Sequence, residues 1–123
     1  MNKVSLSLDP SRLDIDAIHA FLTTTYWSAG IGRDVVARAI AGSVCIGAFQ
    51  GDAQVGFARL VTDKATFAYL ADVYVLVEHR GQGLARAMLD AYELYAKYGF
   101  TPLGTPDRFM EFHRPDVYRA PVA

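Results

Sequence analysis

The stretch FAYLADVYVLVEHRGQGLARAM, residues 67–88, decides how this chain is read. Its first eleven residues form an apolar and aromatic β run, and the remainder passes through a Gly-rich turn into a helical pattern. Within the turn, Gly81 and Gly83 let the backbone bend sharply and approach a ligand without Cβ interference. The helix that follows presents unpaired N–H groups and the positive end of its dipole. Arg80 adds a fixed charge and a fork of donors at the rim. A strand, a turn and a helix of this kind form a phosphate cradle, or else a tight connection whose glycines serve geometry alone.

Working outward, residues 3–8 alternate as a short strand closed by Asp9-Pro10. Asp14 is placed to cap a helix carrying Ile15, Ile18, Phe21 and Leu22, and Asp34 to cap a second helix ending at Gly42. Residues 43–50 and 54–62 are β-rich runs around Gly51-Asp52, a hairpin signal. Past Gly83 the helical pattern continues to about residue 97, with Leu84, Met88, Leu89 and Tyr92 on one face. Residues 100–103 and 108–113 read as further short strands. The order β-α-α-β-β-β-α-β-β predicts a single domain over residues 1–123, α/β (α+β) in class. Its sheet is expected to be mixed and mostly antiparallel, flanked by helices, with one parallel crossover.

The turn Arg80-Gly81-Gln82-Gly83-Leu84-Ala85 resembles the pyrophosphate loop of the GNAT N-acetyltransferases, with Arg80, Gly83 and Ala85 on the pattern positions. The preceding β run strengthens the resemblance, and residues 12–90 follow the family order of elements. The segment Leu94–Phe100 is similar to the family's later helix. The resemblance implies acetyl-CoA as co-substrate, held by Val73, Tyr74 and Val75 of the strand and by Arg80, Gly81, Gln82, Gly83, Leu84, Ala85 and Arg86. It further implies acetyl transfer to a small primary amine by direct attack in a ternary complex. A backbone N–H around Val73 to Val75 would serve the developing oxyanion.

The resemblance is abbreviated after the phosphate-loop helix. Family members carry the rest of that helix, a fifth strand and the start of the next helix, whereas here Met88-Leu89 runs directly into Asp90-Ala91-Tyr92. Either two helices are fused into one of about 15 residues, roughly 22 Å long, or a partner chain exchanges strands into the gap, or a segment of the natural protein is missing. A non-catalytic CoA-binding module with a degenerate fold is therefore the alternative to an enzyme.

Among individual residues, Tyr95 matches the family tyrosine that protonates the departing thiolate; otherwise it packs on the sheet. Asp72 lies in an apolar strand and by parity shares a face with Leu70, Tyr74 and Leu76. It reads as a partly desolvated general base, an attractor for a cationic amine, or a structural carboxylate. Tyr26, Trp27, Arg33 and Arg59 are candidates for an acceptor-side wall, the aromatic rings through cation–π contact. Arg59 is alternatively the ion-pair partner of Asp72. His79 flanks the loop without an assigned role, and no His/Cys/Asp cluster has metal spacing, so no metal is expected.

Composition bounds the rest. The chain has 123 residues, is 52% hydrophobic and 12% aromatic, which predicts a folded globule with its own core. A net charge of −1 gives no general attraction to nucleic acid or to an anionic membrane, so any anion site must be local. Cys45, the single cysteine, reads as a buried thiol on a strand and fits a reducing, cytoplasmic setting. There is no apolar run long enough for a membrane span and no signal-peptide core. A homodimer, formed by strand exchange or over an exposed strand edge, is the expected assembly.

Overall fold

A computed structural model describes residues 3–92. Four strands, β1 (Val4–Ser7), β2 (Val44–Gln50), β3 (Ala53–Thr62) and β4 (Ala68–Val75), lie side by side in sequence order. Each is antiparallel to the next. Between β1 and β2 run a short 3-10 turn (Pro10–Arg12), helix α1 (Ile15–Leu22) and helix α2 (Arg33–Ala41). After β4 come a 3-10 turn (Val77–His79) and helix α3 (Leu84–Ala91). This is a mixed α/β fold with an antiparallel sheet flanked by helices. The expected parallel crossover, the strands expected over 100–103 and 108–113, the expected continuation of the helix to about residue 97, and Tyr95 lie outside the described residues.

Local chemistry accounts for most boundaries. The Asp14 carboxylate accepts from Ala17 N at 3.0 Å and starts α1, whose Ile18 and Leu22 are buried one turn apart. At the β2–β3 hairpin only Gly51 of the two loop residues has positive φ (63°), as a type II′ turn requires. The cap of α2 differs from expectation. Gly32 occupies the cap position without a side-chain acceptor, and Asp34 falls inside the first turn, paired with Arg38 at 3.5 Å. There its charge favours the positive end of the helix dipole without capping an N–H.

The sheet is covered on both faces. Against α1 and α2 it buries Cys45, Phe57 and Tyr74, with Tyr74 stacked on Phe21 at 3.9 Å between ring centroids. Against α3 it buries Ile46, Ala48, Val55, Ala58 and Val75, which surround Met88. An eight-residue helix is marginal alone in water. Burial of Met88 and Leu89 contributes roughly 1.5–3 kcal/mol each and holds α3 in place. Its C-terminal end is anchored by the Tyr92 hydroxyl, 2.7 Å from Val44 O and 3.0 Å from Ala58 O.

One register detail corrects the face assignment of β4. Arg59 pairs with Asp72, but Leu60 pairs with Leu70, so Ala71 is an extra residue in the ladder. Asp72 shares its face with Tyr74 as expected; Leu70 sits opposite Leu60 and leaves that face.

Candidate active site

β4 ends the sheet among the described residues. Leu76 N donates to Val55 O at 2.8 Å, and Tyr74 lies opposite Phe57, so alternate residues of this strand face β3. Val73 and Val75 therefore turn their backbone N–H and C=O groups to the open edge. The Arg80 side chain folds back onto that edge, its Nε donating to Val75 O at 2.8 Å. This fixes the guanidinium beside the strand while four of its five N–H donors lie outside that bond.

The loop then enters α3 through two left-handed glycines, Gly81 at φ 80° and Gly83 at φ 76°. A Cβ at either position meets nothing within 4 Å, so it is the backbone conformation rather than space that calls for glycine. Gly83 is the cap residue of α3 and has no side chain to cap with. The N–H groups of Leu84 and Ala85, like those at any helix start, have no acceptor within the helix and suit an anion. Strand edge and loop enclose a cleft of about 270 Å³ lined by Val73, Tyr74, Val75, His79, Arg80, Gly81, Gly83, Leu84, Ala85 and Arg86. Gln82 is exposed on the loop and is not part of the lining. His79, half-buried in the wall, is the lining residue that the sequence reading left without a role; its position one residue before Arg80 was the available signal.

On the α1/α2 face of β4 the polar groups bind one another. Asp72, 6% exposed, receives Arg59 Nε on Oδ2 at 2.7 Å and Trp27 Nε1 on Oδ1 at 2.9 Å. Arg59 also donates to Ser43 Oγ at 3.1 Å. Each carboxylate oxygen accepts one of these bonds and keeps a second lone pair, and Arg59 balances the charge, an arrangement that fits the structural-carboxylate reading. Arg59 and Trp27 are likewise committed to Asp72. Of the other acceptor-wall candidates, Tyr26 is 93% exposed and meets Trp27 edge-on at 5.3 Å. Arg33 is not gathered with them: it pairs with Asp16 on the surface between α2 and α1.

Two further groups are chemically quiet. Burial pushes the Cys45 thiol up to about 11, so it is protonated at neutral pH. Burial likewise raises the Tyr74 phenol well above its ordinary range. Among the described residues there is no group of three or more His, Cys, Asp or Glu side chains placed to hold a metal ion. Nor is any described helix long and apolar enough to cross a membrane.

The model of the acetyltransferase (GNAT) family matches residues 38–103, which take in β2, β3, β4, the loop and α3. The chain belongs to the GNAT family. A GNAT-family protein of Xanthomonas campestris pv. campestris, described with its crystal structure as a "putative acetyltransferase", is 42% identical and superimposes with a TM-score of 0.81. That match covers 98% of this chain and 99% of the other. A Gibberella zeae protein named "Putative acetyltransferase" is 35% identical over 104 residues. This chain spans 59% of that relative's length, and the aligned stretch uses 68% of this chain. Part of the fungal stretch thus has no counterpart here. A Staphylococcus aureus protein described as a probable acetyltransferase shares the fold at 17% identity, with a TM-score of 0.62 over 91% of this chain and 99% of that one.

Proposed function

We propose that this GNAT protein is an acetyl-CoA-dependent N-acetyltransferase that acetylates a small primary amine by direct attack in a ternary complex. The observation that carries the reading is a cleft joining the β4 edge, unpaired among the described residues, to a glycine-entered helix N-terminus. The donors there suit a molecule that is extended at one end and doubly anionic at the other. Arg80, Gly81, Gly83, Ala85 and the first turn of α3 would hold the pyrophosphate. The outward backbone groups of Val73 and Val75 would align the extended arm, and one of their N–H groups would meet the charge that grows on the thioester oxygen. Acetyl-CoA brings the activated acyl group, so the protein needs to orient it and exclude water. The raised thiol of Cys45 supports direct attack over an acyl-enzyme. Tyr26 and Trp27, exposed on the loop between α1 and α2, supply an aromatic wall for a cationic acceptor. Tyr95 remains the proposed acid for the leaving thiolate.

A second reading, a CoA-binding module without turnover, is favoured by the Asp72 carboxylate being held by Arg59 and Trp27 on the α1/α2 face, away from the cleft. Unfolding with acetyl-CoA tests the shared claim first. At 100 times its dissociation constant acetyl-CoA should stabilise the protein by about 2.7 kcal/mol, and Gly83→Asp, which puts a negative charge in the cleft, should abolish the effect. An absent shift at millimolar acetyl-CoA would sink both readings. Given a shift, thiol release with a panel of primary amines separates enzyme from module.

A further inference from the structure

We propose that a crevice over the Arg59–Asp72 pair is an acceptor subsite that takes the hydroxyl end of a short amino alcohol. The proposal rests on the reading of this protein as an N-acetyltransferase and names the class of amine. The crevice lies between α2 and the sheet and measures about 70 Å³, roughly half of the ~150 Å³ that admits benzene. It has room for the end of a short chain and none for a ring. Val36, Ile40 and Phe57 give it apolar walls, and Ser28, Arg59 and Asp72 supply its polar groups.

What the ion pair leaves over sets the chemistry of the ligand. Arg59 places two of its five N–H groups, on Asp72 and Ser43, and the others have no acceptor among the described residues. Each Asp72 oxygen accepts one bond and keeps a lone pair. Ser28 is 5% exposed, yet its hydroxyl bonds to nothing among the described residues. No fully sealed side-chain polar atom lacks a partner there, so this oxygen reaches accessible space, and the crevice is the space that Ser28 lines. Donors and acceptors are thus both unused, and the ion pair carries no net charge. An alkyl end would satisfy neither set, and a carboxylate would meet the Asp72 charge. A hydroxyl donates one bond and accepts another, which fits both. The crevice also shares its strand with the cleft: Asp72 lines the one, and Val73 and Tyr74 line the other.

Trp27 is the only tryptophan of the chain, and its indole N–H rests on Asp72 at 2.9 Å. Its signal in a proton–nitrogen correlation spectrum therefore reports on the crevice without any turnover. Propanolamine should move that signal saturably. Butylamine and β-alanine should bind about tenfold more weakly, the scale of one hydrogen bond lost or one charge opposed. Ser28→Ala should weaken propanolamine about three- to tenfold and leave butylamine within about twofold. Ala39→Leu, which fills the crevice from α2, should abolish the propanolamine response. Acetyl-CoA affinity should hold within about twofold in both variants. A signal that no amine moves, or butylamine binding as tightly as propanolamine, overturns the subsite, while stabilisation by acetyl-CoA keeps the cleft reading in place. Absent stabilisation by acetyl-CoA removes the transferase reading, and the acceptor role falls with it.

Discussion

Asp72 and Val73 are neighbours on β4, yet they sit in opposite chemical worlds. The Asp72 side chain turns toward α1 and α2, where Arg59 and Trp27 take both its oxygens. Val73 turns its backbone to the edge of β4 that is unpaired among the described residues, in a cleft also lined by Arg80 and Gly83. Asp72 is tied into a network that stabilises the fold, whereas the cleft is lined by the strand edge, glycines and arginines. The two regions should accordingly fail in different ways. Loss of the Asp72 network should cost stability and spare acetyl-CoA binding, whereas changes in the loop should cost binding beyond their effect on stability.

The largest effect is expected from Asp72→Leu. It leaves the Arg59 guanidinium, 20% exposed, without its counter-ion and the Trp27 indole N–H without its acceptor. Breaking one side of a buried pair costs about 3–5 kcal/mol, and replacing both partners by apolar groups restores much of it. Urea unfolding should thus show a deep loss for Asp72→Leu and substantial recovery in the Arg59→Met/Asp72→Leu double variant. The acetyl-CoA dissociation constant of the folded fraction should stay within about twofold in both. A single variant that loses less than about 1 kcal/mol would show the pair to be screened like a surface bridge and would erase the contrast.

Gly83→Ala probes the other side with a smaller cost. A Cβ there has room, so the penalty is that of holding a non-glycine residue at φ 76°, about 1–2 kcal/mol. If the chain relaxes to escape the strain, the first-turn N–H groups of α3 shift, and acetyl-CoA affinity should drop about tenfold, equivalent to 1.4 kcal/mol. Unchanged affinity with lowered stability would reduce Gly83 to a folding role.

What could be read in the sequence follows the range of the interactions. The β4 run, the loop and the start of α3 are encoded by periodicity and glycine placement within a few residues, and they appear in the structure in that order, though the strand stops at Val75 and Val77 already begins a 3-10 turn. Gly51 and Asp14 act through turn and cap chemistry equally local. The Trp27–Asp72 bond joins residues 45 positions apart and leaves no trace in local pattern. The extra residue at Ala71 defeats a parity argument for Leu70, because a bulge shifts register without altering composition. Asp34 looked like a cap because Asp favours both the cap and the first turn, and only the backbone at Gly32 distinguishes them.

The smallest effect, and the one least visible at neutral pH, concerns Cys45. Its thiol is raised from 9.0 to about 11, chiefly by desolvation, with the Asp72 charge adding and the Arg59 charge opposing. Between those values the unfolded chain releases the proton and the folded chain keeps it, so the folded state binds more protons and stability falls with rising pH. The thiol's contribution is fully present below pH 9 and is lost progressively toward about pH 11. The Tyr74 and Tyr92 phenols are also raised by burial and push in the same direction above their ordinary value of 10.0. Urea midpoints should hold steady from pH 7 to 9 and decline above it, with a shallower first part of the decline in Cys45→Ala. In the folded protein at pH 8 the thiol should react with a disulfide reagent far more slowly than a free cysteine does. Fast modification there would mean that the Arg59–Asp72 side of the sheet opens readily, and the sealed face of β4 would then resemble the open one.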